Sequence, residues 1–196
     1  MLYKQFAKPE GWIGKMTGWF MVKENEKRNE WTLSFLDIQK NDKVLEVGFG
    51  PADALKKIAE KEGITLYGID PSESMVETAL RRLKKERAPE QICMMQGEAQ
   101  MLEDFYQPLD KIYSINNISF WETPVKTLNH LHSLLRPGGR IAITLSPHGR
   151  GTSDETTEVM GGQLRALLEE AGFNQIEVFI KPTFPNNTVC ALGMKK

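Results

Sequence analysis

Three carboxylates and two glycines stand close together in the first half of this chain: Glu46, Gly48, Gly50, Asp53 and Asp70. An apolar run, Val44-Leu45, leads into Glu46, and Val47-Gly48-Phe49-Gly50-Pro51-Ala52 then turns the chain. Some twenty residues on, Gly68-Ile69-Asp70 closes a second apolar run on another carboxylate. Glycine has no Cβ, so Gly48 and Gly50 allow a backbone to approach a ligand closely. A carboxylate at the end of the second strand is an acceptor for ribose hydroxyls. The spacing therefore reads as a nucleoside-binding arrangement.

Two residues narrow the nucleoside. The dinucleotide fingerprint Gly-x-Gly-x-x-Gly seats a pyrophosphate on a helix N-terminus. Here its third glycine is Asp53, which would repel that group. Glu46 lies where such a strand end is normally apolar, and a buried carboxylate needs a cationic or donor partner. The ammonium of an amino acid is one such partner. S-adenosylmethionine joins a nucleoside to an amino acid. At these residues the chain resembles the class I S-adenosylmethionine-dependent methyltransferases. Their first motif, acidic-x-Gly-x-Gly, is matched by Glu46-Val47-Gly48-Phe49-Gly50. Ala52 stands where the family usually carries a further glycine.

The resemblance covers residues 42 to 196. It implies a Rossmann-like, doubly wound seven-stranded sheet, mostly parallel with one antiparallel strand near the edge. It assigns Glu46, Gly48, Phe49 and Gly50 to the methionine part of the cofactor. Asp70, followed by Pro71, falls at the ribose. Gly97, Glu98 and Ala99 bracket the adenine, although a solvated Glu98 is the competing reading. Asn116, after strand four, falls where the family faces the methyl group. No proline follows Asn116 and no cysteine lies near it, so the motifs of adenine-nitrogen and cytosine-C5 methylases are missing. Trp121 is either a pocket wall or ordinary packing.

His148, in Ser146-Pro147-His148-Gly149-Arg150, is the histidine at a strand end. With an ordinary pKa near 6.5 it can serve as general base toward an alcohol or phenol. The alternative is a loop histidine without a role. Arg150 suits an anionic substrate or is simply an exposed loop residue. His130 and His132 fall within a helix, as surface or packing residues.

These residues need a frame. Apolar runs predict strands at Lys43–Val47, Thr65–Ile69, Gln91–Gln96, Lys111–Ile115, Arg140–Leu145, Ile176–Ile180 and Thr188–Leu192. Helices are predicted over Asp53–Lys61, from Ser72 with Met75, Val76, Ala79, Leu80 and Leu83 inward, over Val125–Leu135, and over Leu164–Ala171. Pro137-Gly138-Gly139 is read as the stop after the third of these. Alternation of strands and helices makes a parallel sheet covered on both faces. The connection Lys181 to Asn187 is too short for a parallel crossover, so one of the last two strands is antiparallel. The basic run Arg81 to Arg87 is read as a solvated helix face, remote from the active end of the sheet.

Residues 1–40 form a helical segment of the same domain, with Trp12, Ile13, Met16, Trp19 and Phe20 at helical spacing and Trp31, Phe35 and Leu36 in a second helix. Their aromatic content and Gly11, Gly14 and Gly18 suit a hinged cap over the site.

The chain has 196 residues, 40% hydrophobic and 26% charged, with net charge -1. That suits one globular domain and argues against a broad basic nucleic-acid face. Cys93 and Cys190 read as buried free thiols in a reducing compartment, and no Cys/His cluster has metal-ligand spacing. No signal-peptide or membrane-span pattern is present, so a cytoplasmic protein is expected. The expected activity is methyl transfer from S-adenosylmethionine to a small-molecule acceptor without a metal. A cofactor-binding module without catalysis, an RNA methyltransferase and a dehydrogenase are the alternatives. Acceptor identity, the atom methylated and the oligomeric state are not encoded in any motif.

Overall fold

The computed structural model describes residues 24–84, 91–103, 105, 107–147, 152–183 and 186–196. Of the predicted cap over residues 1–40, residues 1–23 lie outside the described residues, as do His148 and Arg150.

Residues 24–34 are helical (α1). The chain then alternates: β1 (Lys43–Val47), α2 (Asp53–Ala59), β2 (Thr65–Asp70), α3 (Glu73–Leu83), β3 (Ile92–Gln96), β4 (Leu109–Ile115), α4 (Pro124–Leu134), β5 (Leu135–Leu145), α5 (Asp154–Glu170), β6 (Asn174–Lys181) and β7 (Thr188–Met194). Short 3-10 turns at Ala99–Met101 and Ile118–Phe120 follow β3 and β4.

The strands form one sheet in the order β3-β2-β1-β4-β5-β7-β6. All neighbours are parallel except β7, which is antiparallel to both β5 and β6. The expected single antiparallel strand near the edge is thus β7, reached from β6 by the short connection. The order reverses between β1 and β4, and the ends of these two strands open a crevice where ligands bind in such sheets.

Central strands are apolar because both faces are covered. Leu45, Val47, Ile112, Ile141 and Ile143 pack under α4 and α5, while Val44, Tyr113, Ala142 and Cys190 pack under α2 and α3. α1 and the turn after it, which holds Phe35 and Leu36 rather than the helix expected for them, join the second layer: Leu36 is fully buried there, Thr32 Oγ1 meets Thr144 Oγ1 at 2.7 Å, and the Phe35 ring stacks on Phe179 at 4.5 Å.

Five local expectations are corrected. Cys93, expected to be buried, is exposed on β3, whereas Cys190 is fully buried on β7. Leu80 is 52% exposed rather than inward, because α3 turns just Ala79 and Leu83 fully onto the sheet. Pro137-Gly138-Gly139 does not stop α4, which has already ended at Leu134. The tripeptide bulges from β5 between the pairs Leu109–Leu135 and Lys111–Arg140, held by mutual backbone bonds of Gly138 and Gly139 with Lys195. α5 starts ten residues before Leu164, where the Thr156 hydroxyl accepts the Ser153 N–H at 3.0 Å, a side-chain cap that propensity alone does not reveal. α2 stops at Ala59, short of Lys61.

Candidate functional site

The turn after β1 is tied down by β2. Gly48 N–H donates to the Ile69 carbonyl at 2.8 Å, and Gly50 N–H donates to Asp70 Oδ2 at 2.9 Å. The other oxygen, Asp70 Oδ1, accepts the Ser72 N–H at 2.9 Å. One buried carboxylate therefore holds two loops together, and each oxygen keeps a further lone pair. The tight turn requires positive φ at Gly48 (74°) and Gly50 (50°). A Cβ on Gly48 would sit 2.1 Å from Asn117 Cγ, whereas one on Gly50 would meet nothing within 4 Å. Ala52, where the family usually has glycine, is itself left-handed with φ 64°.

Arg82 corrects the reading of the basic run as remote from the active end of the sheet, although its side chain stays exposed. Its Nη1 donates to the Pro51 carbonyl at 2.7 Å and its Nη2 to Asp53 Oδ1 at 2.5 Å. The guanidinium on α3 thus clamps the end of the glycine turn and gives Asp53 its partner.

Glu46 points into the protein, 3% exposed, and its partner is a donor: Tyr113 O–H donates to Oε2 at 2.9 Å. Burial pushes the Glu46 carboxyl well above the usual carboxylate range, and the charges of Asp53 and Asp70 push it the same way. The Tyr113 hydroxyl and the Leu55 amide oppose that rise without cancelling it. Burial likewise raises the Tyr113 hydroxyl. The Phe49 side chain, 3% exposed, packs over Gly68, whose missing Cβ leaves room for the ring. Glu46 and Phe49 therefore shape the turn from beneath.

Above the turn lies a cleft of about 490 Å³, counting its open mouth. Val47 and Gly48 form its floor, Ile69 and Pro71 one wall, and Gly97, Glu98, Ala99 and Gln100 the next. Asn117, Phe120, Trp121, Glu122 and Thr127 close the far side. Asp70 is buried between Ile69 and Pro71 of the wall. Ala99 is buried, and Glu98 Oε2 accepts the Gln100 side-chain amide at 2.7 Å.

Of the tandem asparagines after β4, the second reaches the cleft. Asn116, at φ 53°, turns its amide oxygen to the Ser146 N–H at 2.8 Å and so couples β4 to β5. Asn117 Oδ1 accepts the Trp121 indole N–H at 2.6 Å and fixes that ring as a wall. Phe120 stands on the rim, 78% exposed. Asn117, Phe120, Gln100 and Thr127 were not singled out from sequence. An Asn-x-x-x-Trp pair directly after a strand was the available signal. The helix histidines are packing residues: a His130 ring nitrogen lies 2.9 Å from the Leu102 carbonyl, and His132 sits edge-on to Phe173.

Among the described residues, no cluster of His, Cys, Asp or Glu could hold a metal ion, and no helix is long and apolar enough to cross a membrane.

Comparison with known proteins agrees with this geometry. Residues 44–139 match the methyltransferase domain family. The chain is 36% identical over 184 residues to the uncharacterized methyltransferase YdaC of Bacillus subtilis, covering 92% of this chain and 98% of that one. It is 27% identical over 173 residues to the methyltransferase GfsG of Streptomyces halstedii, covering 81% of this chain and 62% of that protein. Among solved structures, a SAM-dependent methyltransferase from Aquifex aeolicus superposes with a TM-score of 0.66 at 20% identity, over 89% of this chain and 98% of that one. Phosphoethanolamine N-methyltransferase 2 of Haemonchus contortus, in complex with S-adenosyl-L-methionine, gives 0.70 at 19% identity over 86% and 52%. By sequence and by fold, the chain belongs to the class I S-adenosylmethionine-dependent methyltransferases.

Proposed function

We propose that this methyltransferase passes the methyl group of S-adenosylmethionine to a small-molecule acceptor by in-line displacement, with the cofactor lying in the cleft above Gly48. The observation that carries the reading is Asp70, a buried carboxylate between the wall residues Ile69 and Pro71 that cross-ties the glycine turn and the start of α3 and keeps unused lone pairs. Those lone pairs suit ribose hydroxyls. Gly50, where a Cβ would meet nothing within 4 Å, leaves the turn open to the methionine part, while the missing Cβ of Gly48 makes room for Asn117. Gly97, Glu98 and Ala99, with Pro71 opposite, suit an adenine between them.

The bound cofactor supplies an electrophilic methyl carbon on a good leaving group. The chain's own task is positioning and exclusion of water. Asn117 and Trp121, locked to each other, form the wall that limits where an acceptor can lie. Asn116 acts through β5, keeping the β4 and β5 ends in register. His148, one residue beyond the described part of the β5 loop, is the proposed general base for an acceptor that must lose a proton. Net charge -1 favours a metabolite over RNA as acceptor.

Calorimetric titration with S-adenosylmethionine, S-adenosylhomocysteine and NADH tests the reading, on wild type and Asp70→Asn. The expected result is binding of the two adenosyl sulfur compounds, weakened tenfold or more in Asp70→Asn, and no binding of NADH. Equal affinity in the variant would remove Asp70 from the site. Methyl transfer to bulk tRNA but to no metabolite would replace the small-molecule acceptor with RNA.

A further inference from the structure

Gln100 joins two walls of the cleft. It belongs to the short turn Ala99–Met101 after β3 and lines the cavity beside Glu98. Its amide nitrogen Nε2 donates to Glu98 Oε2 at 2.7 Å. Its amide oxygen Oε1 accepts the Thr123 hydroxyl at 3.4 Å. Thr123 stands at the N-cap position of α4, next to Glu122 of the far wall. A primary amide offers a donor at one end and an acceptor at the other, so this one side chain answers a carboxylate and a hydroxyl together. An ionised glutamate in its place would only accept.

The base of this strap is fixed by the backbone. Ala99 is buried, Met101 N–H donates to the Glu98 carbonyl at 2.9 Å, and a His130 ring nitrogen meets the Leu102 carbonyl at 2.9 Å. α4 therefore holds the turn from two points, Thr123 at its start and His130 about two turns along. The side chains of the strap are not enclosed: Glu98, Gln100 and Thr123 are all exposed, so a ligand in the cleft can reach them.

A free glutamate on the rim of a cleft turns among many rotamers and loses that freedom when it binds. Here one oxygen is already engaged, which narrows the rotamers before a ligand arrives and leaves Oε1 for a donor on that ligand. The 6-amino group of an adenine seated against Gly97 and Ala99 is such a donor. We infer that Gln100 is a positioning residue for the cofactor, holding the Glu98 carboxylate toward the amino group of the adenine and tying it to the start of α4. The carboxylate then reads the base. An amino group donates to it, whereas the oxo group of a hypoxanthine would meet it acceptor against acceptor. This inference rests on the placement of the adenine in the reading above.

The test uses the full chain as wild type, Gln100→Met, Glu98→Ala and the double variant. S-adenosylhomocysteine and S-inosylhomocysteine, which differ in the base alone, are titrated by calorimetry, and thermal unfolding is followed alongside. Wild type is expected to prefer the adenosyl compound by about tenfold. Gln100→Met keeps the length of the side chain and removes both polar ends, and the preference should fall by about threefold or more. Added to Glu98→Ala, the same change should leave the preference where Glu98→Ala alone puts it, because Gln100 acts through Glu98. A turn that is merely weakened lowers the unfolding temperature and the affinity for both ligands alike. An unchanged ratio in Gln100→Met therefore overturns the proposal. A raised ratio overturns it too, since Gln100 would then be holding Glu98 away from the base. So does equal binding of the two ligands by wild type, or a further loss of preference in the double variant. Failure of wild type to bind S-adenosylhomocysteine at all would strike the cofactor reading itself, and this inference with it.

Discussion

Gly48→Ala probes the contact on which the cleft floor depends. Two costs fall at this position. The residue sits at φ 74°, where a side chain costs about 1–2 kcal/mol. The new Cβ would also stand 2.1 Å from Asn117 Cγ, so Asn117 must move. Moving it costs the indole bond from Trp121, about 1 kcal/mol, and over-packs the turn by a further 1–3 kcal/mol. The whole comes to about 3–6 kcal/mol. Gly50→Ala is the control, because it pays the backbone cost at φ 50° and meets nothing within 4 Å, so about 1–2 kcal/mol is expected. Urea unfolding at pH 7 measures both, and S-adenosylhomocysteine calorimetry reports the cleft. Adding Asn117→Ala to Gly48→Ala should recover about 2 kcal/mol, since neighbouring sites are coupled. If the two alanine variants agree within about 0.5 kcal/mol, or if Asn117→Ala recovers nothing, the steric argument is wrong.

Three further outcomes are expected. Burial raises the Glu46 carboxyl above its unfolded value near 4.3, so its contribution to stability is complete below that value and is lost as pH rises through the folded one. Glu46→Gln should flatten the fall in unfolding free energy on the alkaline side of pH 5, and denaturant titrations from pH 5 to 9 with unchanged slopes would refute it. Asn116→Gly keeps the positive φ but strips the acceptor from the Ser146 N–H, costing about 1–3 kcal/mol in thermal unfolding. A disulfide-exchange reagent at pH 8 should modify the exposed Cys93 quickly, while Cys190, its thiol pushed up to about 12 by burial, reacts after unfolding. Two fast thiols in the native protein would contradict the burial of β7.

The alternation of elements was legible because each strand carries several closely spaced apolar residues and each helix carries an apolar stripe, patterns that depend on local spacing. Glu46, Gly48, Gly50 and Asp70 were legible for a related reason: a strand end, a turn and a second strand end lie at fixed separations in one βαβ unit. That one of the last two strands is antiparallel followed from the length of a connection, and the sheet order shows it to be β7. Partners distant along the chain were not legible. Glu46 meets Tyr113, Arg82 meets Pro51 and Asp53, and Asn116 meets Ser146 because the strand order brings them together. Which of two adjacent asparagines faces the cleft depends on a left-handed backbone at Asn116, and a one-residue change of phase reverses the direction of a side chain. Arg28 reads in sequence as one more charge on an amphipathic helix. Its burial beside β5 arises from the packing of α1 on the sheet, where Phe35 and Thr32 fix the helix and leave the guanidinium inside. Local spacing determined the elements and the glycine turn, while the partners of the charged groups were decided by contacts between residues far apart in the chain.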